Sequence, residues 1–275
     1  MSTLTIATFN VNGITARLPT LLEWLAREAP DIVCLQELKA ADKAFPAYAL
    51  QQAGYGSIWR GELLWNGVAI LARGGQPIEV RRALPGQEGD PHARYLEAAV
   101  QGVLVANLYL PNGNPIRGPK FRYKLAWFES LIAHAQTLVD SGHPIVLAGD
   151  YNVVPTDEDI YDPRSRQRDA LLQPQSRACY QRLLAQGWLD GLRARHPERI
   201  YTFWDHYRNH WERDAGLRID HLLLSPGLAP RLVDAGVHRW VRDLPRASDH
   251  APTWITLDLG ASTPTKRPLV HSDES

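Results

Sequence analysis

The feature that most constrains this chain is a series of short apolar, β-branched runs, each bounded by a polar or turn residue. They read LTIATFN, DIVCLQE, VAILAR, LEAAV, VLVANLYLP, PIVLAGD, IDHLLLS and TWITLDL. Each has the length of a strand. Helical patterns lie between groups of them. Leu18, Leu21, Leu22 and Leu25 fall on one helical face, closed by Pro30. Phe121, Leu125, Phe128, Ile132 and Ala135 form a longer stripe, opened near Pro119 and closed at Gly142. Cys179, Leu183 and Leu184 suit a third helix that ends by Gly187. Strands outnumber helices, so a simple alternation of strand and helix does not fit. Two sheets packed face to face, with helices outside, do.

Composition removes several classes. Lys plus Arg equals Asp plus Glu at 30 each, so no global charge draws a polyanion. An acidic metal site can still cancel a basic rim, and the basic residues are mostly arginine, which suits phosphate. The two cysteines, Cys34 and Cys179, form no disulfide framework and no CxxC pair. No apolar run approaches the ~20 residues of a membrane span, and MSTLTIATFN lacks the basic start of a signal peptide. The chain reads as a cytoplasmic protein with no membrane partner.

The polar residues at the strand ends carry the chemistry. TFNVNG sets Asn10 and Asn12 two apart, on one side of an extended backbone. LQELK leaves Glu37 at a strand end, NLYLPNG supplies Asn107, Tyr109 and Asn112, and LAGDYN supplies Asp150 and Asn152. RIDHLLLS adds Asp220, and RASDHAPTW places Asp249 and His250 at the mouth of the last strand. Each has an ordinary alternative: Asn12 before Gly13 forms turns, Glu37 can pair with Lys39, and Asp249-His250 alone is a solvated turn. Six such strand ends together describe one polar cleft at one edge of the sheets.

There is no Cys/His zinc spacing, no GxxxxGK[ST] loop and no GxSxG elbow. The available ligands are the hard oxygens of Glu37, Asp150, Asp249, Asn10 and Asn12. Such a set suits Mg²⁺, which keeps waters and takes phosphate oxygens. A histidine with spare aspartates to fix its tautomer completes the parts list for phosphodiester hydrolysis.

The segments FNVNG, LQELK, NLYLPNG, GDYN, YTFWD, GLRIDHLLLS and SDHAP, in this order over roughly residues 4–259, resemble the motifs of exonuclease III and related abasic-site DNA endonucleases. These belong to the endonuclease/exonuclease/phosphatase superfamily. The resemblance implies a four-layer α/β/β/α sandwich of two mixed sheets, a single domain over residues 1–259. It implies Mg²⁺, or Mn²⁺ in its place, held chiefly by Glu37 with Asn10, Asn12 and Asp249 nearby. Asp150 becomes the acid/base group beside Asn152. His250, oriented by Asp220, binds phosphate or the transition state. Tyr109 hydrogen-bonds phosphate or assists the leaving group, and Asn112 holds a phosphate oxygen. The resemblance does not choose the general base or the number of metals. The implied substrate is double-stranded DNA with abasic sites or 3′ ends, and the implied state is a monomer.

Phe203, Trp204, Leu217 and Ile219 then line an apolar pocket for a flipped-out sugar without its base, which costs less to unstack than a normal nucleotide. Their alternative is core packing. Arg117, Lys120 and Arg122 either touch the DNA backbone or form a solvated helix face. Position 12 is Asn where some relatives have Asp, and position 217 is Leu where some have an aromatic. Residues 205–216, DHYRNHWERDAG, have no counterpart in those motifs. His206 and His210 there are four apart, but a solvated loop is the expectation. Two rival functions share the same letters: a related phosphodiesterase with another substrate, and a catalytically silent nucleic-acid-binding regulator. After Gly260 the polar, Pro-bearing sequence predicts a disordered tail.

Overall fold

In a computed structural model, which describes residues 3–260, twelve strands form two sheets. The strands are β1 (Thr3–Asn10), β2 (Ile32–Gln36), β3 (Tyr55–Arg60), β4 (Val68–Arg73), β5 (Ile78–Arg81), β6 (Tyr95–Val100), β7 (Val103–Tyr109), β8 (Ile145–Asp150), β9 (Leu189–Asp190), β10 (Asp220–Leu224), β11 (Leu232–Val237) and β12 (Thr253–Asp258). The helices are α1 (Ile14–Glu28), α2 (Ala47–Gln52), α3 (Pro119–Asp140), α4 (Pro174–Leu184) and α5 (Gly191–Arg195). The expected tail, from residue 261 onward, lies outside the described residues.

One sheet has the order β11-β12-β1-β2-β4-β3 and the other β5-β6-β7-β8-β10-β9. Both share one pattern: a central parallel pair, β1 with β2 and β7 with β8, and antiparallel neighbours on either side. The carboxyl ends of β1, β2, β7 and β8 therefore meet the amino ends of β10 and β12 at one edge. Asp220 and the Asp249-His250 pair stand where strands begin, while the other site residues stand where strands finish.

Packing follows the two-residue period of the strands. Leu4 and Ile6 of β1, Ile32 and Cys34 of β2, Val103 and Val105 of β7, Val146 and Ala148 of β8, and Leu222 and Leu224 of β10 face the space between the sheets. Each large apolar side chain removed from water there contributes about 1.5–3 kcal/mol. The alternate residues face outward. Ala7, Phe9, Val33 and Leu35 pack under α1 and α2, with Leu21, Trp24 and Leu25. Leu108, Leu147 and Tyr151 pack under α3 and α4, with Trp127, Phe128 and Tyr180. This is the four-layer sandwich. The expected helix limits hold: α1 stops before Ala29 (φ 45°) and Pro30, α3 starts at Pro119, and α4 precedes Gly187.

Along the inner faces the apolar residues give way to polar ones toward the site edge. Thr8 and Asn10 follow Ile6, Gln36 follows Cys34, Asn107 and Tyr109 follow Val105, and Asp150 follows Ala148. Thr8, Gln36 and Asn107 are fully buried. Gln36 Nε2 donates to Asn107 Oδ1 at 2.7 Å and to Thr8 Oγ1 at 2.9 Å, while Asn107 Nδ2 donates to the Leu35 and Ala69 carbonyls. The buried amides are thereby satisfied, which removes the penalty of burying them bare.

Beneath β10, Arg218 is buried with two carboxylates. Its Nε donates to Asp159 Oδ1 and its Nη1 to Asp190 Oδ2, each at 2.6 Å, and His221 Nδ1 lies 2.9 Å from Nη1. Burial and the adjacent guanidinium push His221 down to about 4. Burial favours the neutral acid at Asp190, but Arg218 and His221 outweigh it and hold the group at about 2.

Two predictions follow from this framework. A Cβ at Gly149 would lie 1.9 Å from the Leu108 carbonyl oxygen, so Gly149→Ala lowers stability by about 3 kcal/mol, a fall of roughly 6–12 °C in Tm. Unchanged melting would refute the close approach. Acid acts on the Arg218 cluster in one direction. The unfolded chain protonates its histidine near 6.5 whereas folded His221 resists down to about 4, so stability falls across that interval, by about 3 kcal/mol at most. Asp190 contributes stability that is present above 3.8 and lost toward 2. Urea unfolding at stepped pH shows both losses, and His221→Gln flattens the upper one.

Candidate active site

The register aligns the reacting groups before any side chain is considered. Asp150 is the lateral partner of both Tyr109 on β7 and Asp220 on β10, and Asn10 is the partner of Gln36, next to Glu37. Just past the strand ends, Asn12, Glu37 and Asn152 have φ values of 49°, 51° and 46°. That left-handed backbone disfavours side chains such as glutamate. It lets the chain turn sharply and present each group to the same cleft.

Asn10 ties the two sheets together. Its Nδ2 donates to Glu37 Oε1 at 2.9 Å and to Asp150 Oδ2 at 3.0 Å, and its Oδ1 accepts from the Asn12 backbone N–H. Tyr109 donates its hydroxyl to Glu37 Oε1 at 2.8 Å. Asn12 Nδ2 donates to Asp249 Oδ1 at 2.9 Å. Asn152 donates its backbone N–H to Asp150 Oδ1 at 2.8 Å, and Asn112 Nδ2 donates to Asn152 Oδ1 at 3.1 Å. His250 Nδ1 donates to Asp220 Oδ2 at 2.8 Å, leaving Nε2 turned toward Asp150 Oδ2 at 3.8 Å.

The electrostatics are set by burial against neighbours. Burial raises Asp150, and Asp220 and Glu37 add to it while His250 opposes, which leaves Asp150 at about 7. Burial works against charge on His250, but Asp220, Asp150 and Asp249 overcome it and push the imidazole up to about 10. Near pH 8 the pair is therefore a carboxylate beside an imidazolium. Burial, with Glu37 and Asp150, keeps the Tyr109 phenol protonated, far above its ordinary range.

The donor set fits a divalent cation. Four carboxylates, Glu37, Asp150, Asp220 and Asp249, converge with amide oxygens, all hard ligands. An ammonium reaches into this set: Lys39 Nζ sits 2.8 Å from Glu37 Oε2 and donates to Asn12 Oδ1 at 2.6 Å. So the Glu37–Lys39 pairing weighed from the sequence is real, and it lies inside the cleft. Oδ1 of buried Asp220 has no hydrogen-bond partner among the described residues. Ligand atoms of Asp150, Asp220 and His250 also lie within 4.8 Å of one another, a second grouping of oxygen and nitrogen donors.

Around this centre the other expected residues divide. Phe203 packs edge-on against His250, with ring centroids 4.9 Å apart, and joins an apolar cluster with Leu217 and Ile219. Trp204 does not share that wall. It is fully buried in a different cluster with Tyr201 and Ala251, and its Nε1 donates to Asp214 Oδ1. The core-packing alternative describes it. Arg117, Lys120 and Arg122 are exposed, with no carboxylate at ion-pair distance among the described residues. In the 205–216 loop His206 is exposed while His210 is buried against Tyr161, so the two do not form a metal pair.

Three supporting residues escaped the sequence reading. Lys124 Nζ donates to the carbonyls of Pro111, Asn112 and Asn152, clasping the loops that follow β7 and β8. Burial lowers it to about 7. Its one signal was a lysine on the apolar stripe of α3, between Phe121 and Phe128. Ser248 Oγ donates to the Asn10 carbonyl and accepts from the His250 N–H. Arg242 holds the Ser248 and Trp204 carbonyls.

Comparison with known proteins agrees with this geometry. The model of the endonuclease/exonuclease/phosphatase family matches residues 7–250. Exodeoxyribonuclease III of Haemophilus influenzae is 35% identical over 259 residues, covering 90% of this chain and 97% of the relative. A 3′ phosphatase from Neisseria, solved with a product DNA hairpin, superposes with a TM-score of 0.89 at 40% identity, over 93% of this chain and 99% of that one. An AP endonuclease from Archaeoglobus fulgidus superposes with a TM-score of 0.89 at 37% identity, over 93% and 100%. With its sandwich, its strand-end carboxylates and these relatives, the chain belongs to the endonuclease/exonuclease/phosphatase family, in the branch of exonuclease III and the AP endonucleases.

Proposed function

We propose that this DNA-repair nuclease hydrolyses the backbone of double-stranded DNA on the 5′ side of abasic sites and removes nucleotides or blocking groups from 3′ ends, with Mg²⁺ and as a monomer. The observation that carries the reading is the convergence of Asp150 and His250, with His250 Nδ1 donating to Asp220 and Nε2 turned toward Asp150 Oδ2 at 3.8 Å. Its relatives' names and the DNA-bound neighbour support the substrate class.

In this reading a water attacks phosphorus, one P–O bond forms and the P–O bond to the leaving sugar breaks. Asp150 takes the water's proton, held in place by the Asn152 N–H and the Asn10 amide. The Nε2–H of His250 faces the charge that develops on a phosphoryl oxygen, as a preorganised donor should. Asn112 and Asn152 hold the phosphate, and the Tyr109 hydroxyl donates to it or to the departing oxygen. Glu37, with Asn10, Asn12 and Asp249, would hold Mg²⁺, and a bound ion would supply Lewis-acid polarisation of the phosphoryl group. Phe203, Leu217 and Ile219 receive the baseless sugar. Exposed Arg117 meets the DNA backbone.

The test is cleavage of a labelled duplex carrying one abasic-site analogue, beside an intact duplex, with Mg²⁺ and with EDTA. Mg²⁺-dependent cutting at the analogue is expected. Digestion only from 3′ ends would discard the endonuclease, and folded protein that binds but cuts neither duplex would be the silent regulator. In the same assay Asp150→Asn lowers turnover by about 10²–10⁴-fold with melting unchanged; near-normal turnover removes Asp150 from the mechanism. Glu37→Ala raises the Mg²⁺ concentration for half-maximal rate by at least about tenfold, and an unmoved titration places the metal elsewhere.

A further inference from the structure

Lys124 stands on α3 between the core residues Phe121 and Trp127 and is fully buried. A buried ammonium is costly unless its donors are matched. Packing alone would be served by an apolar side chain at this position of the stripe. The hydrogen-bond partners of Lys124 are all backbone carbonyls. Nζ donates to the Asn152 carbonyl at 2.6 Å and to those of Pro111 and Asn112 at 3.2 Å each. An ammonium has three N–H donors, and all three are used here. A neutral amine would turn a lone pair toward one of the carbonyls.

The three carbonyls lie on two loops. Pro111 and Asn112 follow β7, and Asn152 follows β8. The same loops meet through their side chains. Asn112 Nδ2 donates to Asn152 Oδ1 at 3.1 Å, and Asn152 Nδ2 donates to the Leu110 carbonyl at 2.9 Å. The ammonium therefore holds the backbone from which both amides project. Asn152 is gripped at both ends: its N–H donates to Asp150 Oδ1 at 2.8 Å and its carbonyl accepts from Lys124. Its φ of 46° is a left-handed conformation that persists where neighbours fix it. On the other loop Gly113 has a φ of 91°, and a Cβ there would lie 2.6 Å from Lys124 Cδ. The chain thus closes directly on the lysine stem. Asn114 pins the far side of that loop, donating to Asp169 Oδ1 at 2.8 Å and accepting from the Ala170 N–H at 2.9 Å.

We propose that Lys124 is a positioning residue of the hydrolysis: by fixing the backbone of Asn112 and Asn152 together, it sets the spacing of the two side-chain amides that receive the phosphate. This rests on the nuclease reading above. Lys124 touches no reacting atom, so it acts on the rate of the bound complex and not on DNA affinity. A small shift of a donor costs most where charge develops in the transition state.

The test is single-turnover cleavage of the abasic-analogue duplex in Mg²⁺ by the full chain, with the rate expressed per active molecule. Lys124→Met removes the donors and keeps the stem. It lowers that rate by about 10–10²-fold and leaves Kd for the uncut duplex in EDTA within about twofold. A double-mutant cycle then asks what Lys124 acts through. In an Asn112→Ala, Asn152→Ala background the same change costs less than about twofold, because the amides it places are gone. A parental rate in Lys124→Met would overturn the proposal, and so would an undiminished loss in the double-alanine background. A lowered Tm with fewer active molecules, each cutting at the parental rate, would make the lysine structural only. Lys124→Gln, which keeps N–H donors on a shorter stem, replaces the methionine variant if that one fails to fold; if neither folds, the positioning role falls as well. A parent that does not cut the duplex at all would instead overturn the reading of the active site.

Discussion

The hydrogen bond from Gln36 Nε2 to Asn107 Oδ1, 2.7 Å long, joins the two sheets at the level where their shared core stops being apolar. Everything above it depends on that junction. Below lie Ile6, Cys34, Val105 and Ala148, and above lie Asn10, Glu37, Tyr109 and Asp150. A sheet pair that stayed apolar to its edge could not hold carboxylates at fixed distances, because bare charges on an oily floor lack partners. An amide layer satisfied on all sides gives the site a rigid polar base and keeps water out of the core below.

On that base the problem is like charge. Four carboxylates within one cleft repel, and burial makes the repulsion stronger. The structure answers in three ways: His250 Nδ1 donates to Asp220, Asn10 donates to Asp150 and Glu37 at once, and Lys39 sits against Glu37. What remains is an excess of acceptor oxygens facing the mouth. These oxygens, with an Asp220 Oδ1 that has no partner among the described residues, are the kind of hard donors that suit a divalent cation. Tension between stability and affinity is expected at a functional site.

How much of this could be read from the sequence follows from burial. All eight apolar runs became strands, and all eight are interior to their sheets. The four strands that left no such signature, β3, β5, β9 and β11, are the four sheet edges. Interior strands are covered on both faces and need unbroken apolar stretches; an edge such as β5, fully exposed, does not. The site was legible for a related reason: polar residues that interrupt a buried run are rare enough to mark themselves. Trp204 was misplaced because an aromatic beside a pocket residue has the same letter as one in the core. Ser248 and Arg242 left no mark, since their worth lies in partners such as Asn10, 238 positions away.

The same logic explains why some of the site residues lie just beyond regular structure, past the strand-end residues Asn10, Gln36 and Asp150. A strand can aim a side chain only up or down, and a cleft needs groups to converge from several directions. Asn12, Glu37 and Asn152 reach it through left-handed backbone immediately after β1, β2 and β8, where the last ladder bonds still fix the peptide. The strain is local and the anchoring is not: Gly13 N–H and Ile14 N–H donate to the Glu37 and Leu38 carbonyls, locking the two turns to each other. Two sheets thus act as a vice, and the strained turns as its jaws. Small displacements in either sheet would move Glu37 relative to Asp150, which is why the polar layer between them matters to the chemistry as much as to the fold.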